Sequence, residues 1–206
     1  MPCTLYIKCT SSGTGKTASV SSIISQLRHE QSDGDISTFQ YVALNGMEMR
    51  HPFDLYVRLW EAVSPNKEKL NAGQAVSQLE AYFGGAVVHS KTNNEDNHED
   101  TASKPSKRAI TVVLLDEIDY MLTKKQTVLY NLFDWPMRGA LTKSYAQLIV
   151  VGISNTLNLP ERLHRRVQSR LGKERCIYSA YKAQESADII RARLGITKAT
   201  PQVWRI

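Results

Sequence analysis

The stretch Ser11 to Thr17, SSGTGKT, constrains this chain more than any other. Its ending, Gly-x-Gly-Lys-Thr, is that of a phosphate-binding loop, which must follow a strand and open a helix. Both neighbours have the required pattern. Leu5 to Lys8 alternates like a short strand, and Ala18 to Leu27 carries Val20, Ile23, Ile24 and Leu27 at helical spacing. Gly13 and Gly15 permit a tight turn that brings backbone N–H groups of Ser12 to Gly15, Thr14 included, against phosphate oxygens, and the helix aims its positive end at the same place. Lys16 supplies a mobile charge for the outer phosphates of a nucleoside triphosphate, and the Thr17 hydroxyl is a Mg²⁺ ligand. Thr10 stands where the pattern has its first Gly. The alternative is a Gly/Ser/Thr-rich helix start that binds nothing.

A second motif bears on that choice. Ile110 to Leu115 is a continuous apolar run, as in a parallel strand buried on both faces, and it ends in Asp116-Glu117. A carboxylate pair at such a strand end suits metal holding by Asp116 and water activation by Glu117. Gln147 to Ile153 is another buried strand, closing on Ser154 and Asn155, whose amide can donate to an oxygen while accepting from water. Between these strands the patterns are helical. Asp54 to Val63 presents Leu55, Tyr56, Leu59, Trp60 and Ala62 as a packed face, and Asn71 to Phe83 presents Ala75, Val76, Leu79 and Tyr82. Gln31 to Asp35 reads as a turn-rich break and Ser37 to Leu44 as a strand. Lys124 to Trp135 reads as a helix ended by Pro136, and Glu161 to Leu171 as one continuous helix. Glu174 to Tyr181 reads as an edge or last strand, and Gln184 to Leu194 as a final helix with Ala187, Ile190 and Leu194 on one face.

Strands alternating with helices, with the loop after the first, predict an α/β fold: a doubly wound parallel sheet with the nucleotide outside the strands' carboxyl ends. Residues 1–180 form the nucleotide-binding core. Within it, 84–109 is expected to be a disordered insertion, because Ser90 to Arg108 has almost no apolar residue to offset its ordering entropy. His89 and His98 fall in or beside that polar tract with no ligand-like spacing. No apolar run approaches the roughly 20 residues needed to span a bilayer, so no membrane role is expected. Cys3, Cys9 and Cys176 have no metal or disulfide spacing and suit a reducing compartment, cytosol or nucleus. The net charge of +6 over 206 residues is compatible with nucleic-acid contact, and the late cations Arg162, Arg165, Arg166, Arg170, Lys173 and Arg175 concentrate it.

DEID, ISNTLNLPER and VQSRLG, in this order after GTGKT, resemble the AAA+ ATPases. FQYVALNGMEMRHPFDLYVRLW, YNLFDWP and NTLNLPERLHRRVQSRLG are similar to the replication-initiator group within them, the origin-recognition and helicase-loader subunits. The resemblance implies a P-loop AAA+ core followed, in 181–206, by only the start of a helical lid. It implies ATP and Mg²⁺, with Lys16 and Thr17 as the Walker A pair, Asp116 and Glu117 as Walker B and Asn155 as first sensor. It implies Arg170 as an arginine finger reaching a neighbour's nucleotide. Pairing of Arg170 with a carboxylate on its own subunit, or contact with DNA phosphate, stays open. The implied partners are other AAA+ origin-recognition subunits, double-stranded DNA, and the replicative helicase with its loader, in the nucleus. The family's adenine-side helix, second sensor and winged-helix domain are expected outside this chain, and turnover is expected to be weak or partner-dependent. A nucleotide-independent assembly module and a clamp-loader-like ATPase are the competing readings, and YNLFDWP speaks against the latter.

Overall fold

The computed structural model describes residues 4–9, 13–64, 69–85, 109–141, 146–172 and 175–195. Five strands, β1 (Thr4–Cys9), β2 (Phe39–Asn45), β3 (Ala109–Asp116), β4 (Ala146–Ser154) and β5 (Arg175–Tyr178), form one sheet in the order β2-β3-β4-β1-β5. Every pairing is parallel, so all five carboxyl ends lie along one rim. The register sets Asn45 beside Asp116 and Lys8 beside Ser154. β4 is inserted between β1 and β3, so its end separates the phosphate loop from the acidic pair.

Helices cover both faces, as the doubly wound reading requires. α1 (Lys16–Asp33) packs Val20 and Ile24 on one face against Ile7, Leu114 and Ile153. α2 (Asp54–Val63), α3 (Ala72–Gly84) and α4 (Thr127–Leu141) cover the other face, where Tyr6, Val113 and Leu115 point. Successive strand residues thus serve opposite cores, which is why β3 is apolar on both faces from Val112 to Leu115. Leu55, Tyr56 and Leu59 of α2 and Ala75 and Leu79 of α3 are buried as their spacing predicts. Asn71 starts α3 with a capping box shared with Gln74.

Several expectations change. α1 continues to Asp33, past the start of the predicted break, and is closed by Gly34 in the left-handed region. Ile23 is exposed, and Val63 rather than Ala62 completes the buried face of α2. The predicted insertion narrows at both ends, because Gly84 belongs to α3, Gly85 caps it and Ala109 opens β3. Residues 90–108, with His98, and also His89, lie outside the described residues. Pro136 does not end α4, which runs five residues further with Pro136 buried inside it. A proline there costs about 3 kcal/mol in lost bonding and clash. The surrounding contacts offset that cost: Phe133 and Trp135 are fully buried, and Arg138, one turn after Asp134, pairs with it at 2.5 Å.

The segment after β4 also differs from its prediction. It is two short helices, α5 (Leu159–Arg162) and α6 (Arg165–Gln168), with extended residues Leu163 and His164 between them. Gln126 explains the break. Its buried amide donates to the Arg162 carbonyl at 2.9 Å and accepts from the His164 N–H at 2.8 Å, satisfying the backbone groups that a helix would otherwise pair. β5 is an edge strand, as expected. α7 (Ala183–Arg193) forms, yet none of its residues is buried, and Ile189, Ile190 and Leu194 are exposed. No helix among the described residues is long and apolar enough to cross a membrane.

α3 and α4 are joined through charge. Glu80 accepts from Trp135 Nε1 at 2.7 Å and pairs with Arg138. Burial alone would push the Glu80 carboxyl up, but hydrogen bonds from Arg138 and Trp135 with the Arg138 charge outweigh burial and the nearby Asp134, holding it below its ordinary value of 4.5. A carboxyl lowered on folding adds stability that is complete above its unfolded pKa and is lost as pH falls through the folded one. Urea unfolding should therefore show a margin of the native chain over Glu80→Gln at pH 7 that shrinks as pH falls below 4.5.

Candidate functional site

The site is built where β1, β3 and β4 end together. After β1 the backbone turns through Gly13 and Gly15, both with positive φ (78° and 74°), and α1 begins at Lys16. Ser12 of the expected loop, with Thr10 and Ser11, lies outside the described residues. Thr14 is buried, and its carbonyl accepts from the Tyr181 hydroxyl at 2.9 Å. A Cβ on Gly15 would stand 2.6 Å from that hydroxyl, so the close approach adds to the φ requirement for glycine.

Lys16 crosses to β4, and β4 reaches on to β3. The Lys16 ammonium, 6% exposed, donates to Asn155 Oδ1 at 2.6 Å, and Asn155 Nδ2 donates to Glu117 Oε1 at 2.6 Å. Thr17 Oγ1 donates to Asp116 Oδ2 at 2.6 Å, and Asp116 Oδ1 accepts from the Glu117 N–H at 2.9 Å. Lys16, Thr17, Asp116, Glu117 and Asn155 are thus one hydrogen-bonded group. Among the described residues Lys16 makes no ion pair, so its buried charge is neutralised only by an amide dipole. Such a charge favours an anion beside it.

The acidic pair is held in an uncommon backbone conformation. Glu117 has φ 54° and ψ 46°, left-handed for a residue with a side chain. That turn carries its carbonyl against Gly46 at the end of β2, where a Cβ would sit 2.5 Å from the oxygen. On the far side, Asp119 gathers the end of β4. Its carboxylate accepts from Ser154 Oγ at 3.0 Å, from the Asn155 N–H at 2.9 Å and from the Thr156 hydroxyl. A cavity of about 320 Å³ is lined by Gly13 to Ala18 with Asp116, Glu117 and Asn155. It takes in every described residue of the predicted site except Arg170.

The sequence matches a known family. The description "ATPase family associated with various cellular activities (AAA)" fits residues 7–177. The chain belongs to the AAA family of ATPases. It is 38% identical over 193 residues to origin recognition complex subunit 1 of Debaryomyces hansenii, covering 93% of this chain and 20% of that protein. It is 35% identical to the human subunit of the same name, covering 91% and 19%. A chain of the Drosophila ORC, solved bound to DNA, superposes with a TM-score of 0.70 at 30% identity, covering 96% of this chain and 42% of that one. The chain thus spans about a fifth of the length of its curated relatives. AAA membership implies nucleotide binding.

Arg170 lies apart from the AAA nucleotide cavity of its own chain. It follows α6 and packs on α4, where Nε donates to Asp134 Oδ1 at 2.5 Å and the guanidinium lies 4.5 Å from the Tyr130 ring centre. Sequence reasoning passed over three residues near the cavity. Asp119 was legible as the last acid of DEID, whereas Tyr181 and Gly46 carry no local signal, because each acts through a contact distant in sequence. Gly46→Ala should lower stability by about 1–3 kcal/mol in chemical denaturation, since the clash is with backbone that cannot rotate away.

Proposed function

We propose that this chain is the ATP-binding core of an origin-recognition subunit, in which ATP held between neighbouring AAA+ subunits organises an assembly on double-stranded DNA. The observation that carries this reading is the buried Lys16, whose ammonium lines the cavity at the start of α1 with only an amide oxygen as partner among the described residues. The triphosphate would lie along Gly13 to Thr17, Ser12 included, with Lys16 on its outer phosphates. Similarity to subunits named for origin recognition supports the biological setting, a nuclear assembly that also meets the replicative helicase and its loader. Residues 181–206 would begin the lid.

Thr17 and Asp116 fit a Mg²⁺: two oxygen donors already 2.6 Å apart at the mouth of the phosphate loop. The ion would neutralise and orient phosphate oxygens. Glu117 would orient the attacking water and take its proton, and Asn155, bonded to both Lys16 and Glu117, would hold base and cation in one geometry. Arg170 would complete a neighbour's site, because a planar, permanently charged fork suits charge on a transferring phosphoryl group. With the acting groups split between subunits, ATP serves mainly as an assembly switch and hydrolysis depends on partners.

Titration with a fluorescent ATP analogue tests the site. Lys16→Ala should weaken binding by at least about tenfold, one lost charge-assisted contact being worth roughly 1.5–3 kcal/mol. Equal, negligible binding by the native chain and the variant would instead favour a nucleotide-independent assembly module. Glu117→Gln should keep binding while turnover in the assembled complex falls by about a hundredfold or more.

The exposed Arg162 and Arg165 make no ion pair among the described residues, whereas Arg166 and Arg170 lie over Tyr130. Arg162→Ala and Arg165→Ala should each weaken binding to duplex DNA. Each should also flatten the slope of log affinity against log salt by about 1, as expected for one lost phosphate contact. An unchanged slope in both would remove this segment from the DNA surface.

A further inference from the structure

One face of α4 carries a chain of charged contacts, none of them lining the cavity, that the proposed function leaves unused. Tyr130, Asp134 and Arg138 recur every four residues and so share one face of the helix. Asp134 is nearly buried, its side chain 9% exposed, and both carboxylate oxygens are engaged: Oδ1 by Arg170 Nε at 2.5 Å and Oδ2 by Arg138 Nε at 2.5 Å. Arg138 also pairs with Glu80, which is fixed by Trp135 Nε1 at 2.7 Å. The carboxylate is thus held from behind by α3 and α4 before it meets Arg170.

Arg170 is fixed on three sides. Asp134 takes Nε, the Arg166 carbonyl takes Nη1 at 2.8 Å, and the Tyr130 ring lies beneath the guanidinium at 4.5 Å. Among the described residues Nη2 has no hydrogen-bond partner, and the side chain keeps 28% of its exposure. An arginine clamped at Nε and Nη1, with Nη2 unbonded and the side chain partly exposed, can still take an anion at Nη2. Gln126 adds a second restraint by stapling the α5–α6 break upstream of Arg170.

We infer that Asp134, with Tyr130, is a positioning residue that orients Arg170 for a phosphate carried by an adjoining subunit. This rests on the reading of Arg170 as a group donated in trans. An arginine side chain loses about 2 kcal/mol of rotamer entropy when ordered, and a group ordered before the neighbour docks no longer has to lose it at the reacting phosphate. The same contacts would sequester the arginine only if they consumed its outer edge, and they leave Nη2 free.

The test uses the chain assembled with its AAA+ neighbours, in a Glu117→Gln background so that residual ATP turnover belongs to the adjoining site. Arg170→Ala should lower that turnover by about a thousandfold, the lower range for an arginine supplied in trans. Asp134→Asn should lower it by about ten- to a hundredfold, the effect of an ångström-scale misplacement. The loss should fall on kcat with KM unchanged, and the double variant should be no worse than Arg170→Ala alone. Binding of a fluorescent ATP analogue to this chain's own site should be unchanged by Asp134→Asn, which separates misaimed arginine from general damage. Should Asp134→Asn fail to fold, Tyr130→Leu decides: it removes the ring beneath Arg170 without unpairing a charge, and a several-fold fall in kcat is expected. If Arg170→Ala changes nothing, the trans role of Arg170 fails and the positioning role with it. If Arg170→Ala is severe while Asp134→Asn, or Tyr130→Leu in its place, turns over normally, the positioning inference alone is overturned. A rise in turnover with Asp134→Asn would overturn it too, by showing that the carboxylate holds the arginine back.

Discussion

The buried Lys16 ammonium is the interaction on which the site depends. A cation removed from water needs compensation, and a carboxylate would supply it most completely. The fold has two carboxylates close by, yet gives Lys16 an amide oxygen and ties Asp116 to Thr17 and Glu117 to Asn155 instead. A Lys16–Asp116 pair would neutralise both charges that a metal-bound triphosphate requires. Interposing Asn155 keeps the charges apart while satisfying the hydrogen bonds of each, so the cavity retains positive and negative walls.

Strand order makes this arrangement possible. Were β3 next to β1, the acids would border the phosphate loop directly. With β4 inserted, Asn155 has both neighbours within reach, and its backbone N–H is fixed by Asp119 while its side chain spans the gap. The left-handed Glu117 belongs to the same construction. It turns the chain at once after β3, so that Asp116 meets Thr17 while Glu117 and Asp119 take the side chain and the N–H of Asn155, and Gly46 just after β2 is the allowance made for the displaced carbonyl.

Much of this was legible because it follows from short-range pattern. The apolar run of β3 ending in Asp116-Glu117, the glycines before Lys16 and the 3.6-residue spacing of α2 and α3 identify elements whose burial the sheet then enforces. What was not legible has a common cause. The Leu163–His164 break contradicts expectation because a distant side chain, Gln126, satisfies the backbone there, and Pro136 stays inside α4 because the packing of Phe133 and Trp135 outweighs its local cost. α7 carries the right periodicity, yet it lies beside no described surface that buries it.

The segment YNLFDWP shows why a stretch can be specific to one branch of a common fold. Phe133 is a core residue that another apolar side chain of similar volume would approximate, while Trp135 adds an indole N–H bond to Glu80. Asp134 is different, because a nearly buried carboxylate facing two arginines costs more to desolvate than an apolar residue would, and it is destabilising if either partner is lost. Its presence is not explained by stability alone. The cost is coherent if the arrangement has a geometric purpose, and the geometry it enforces is the direction of Arg170. The cavity at the strand ends and the charged network on α4 are both anchored on one hydrophobic cluster packed between α2, α3, α4 and the sheet, so a change in that core would reach both.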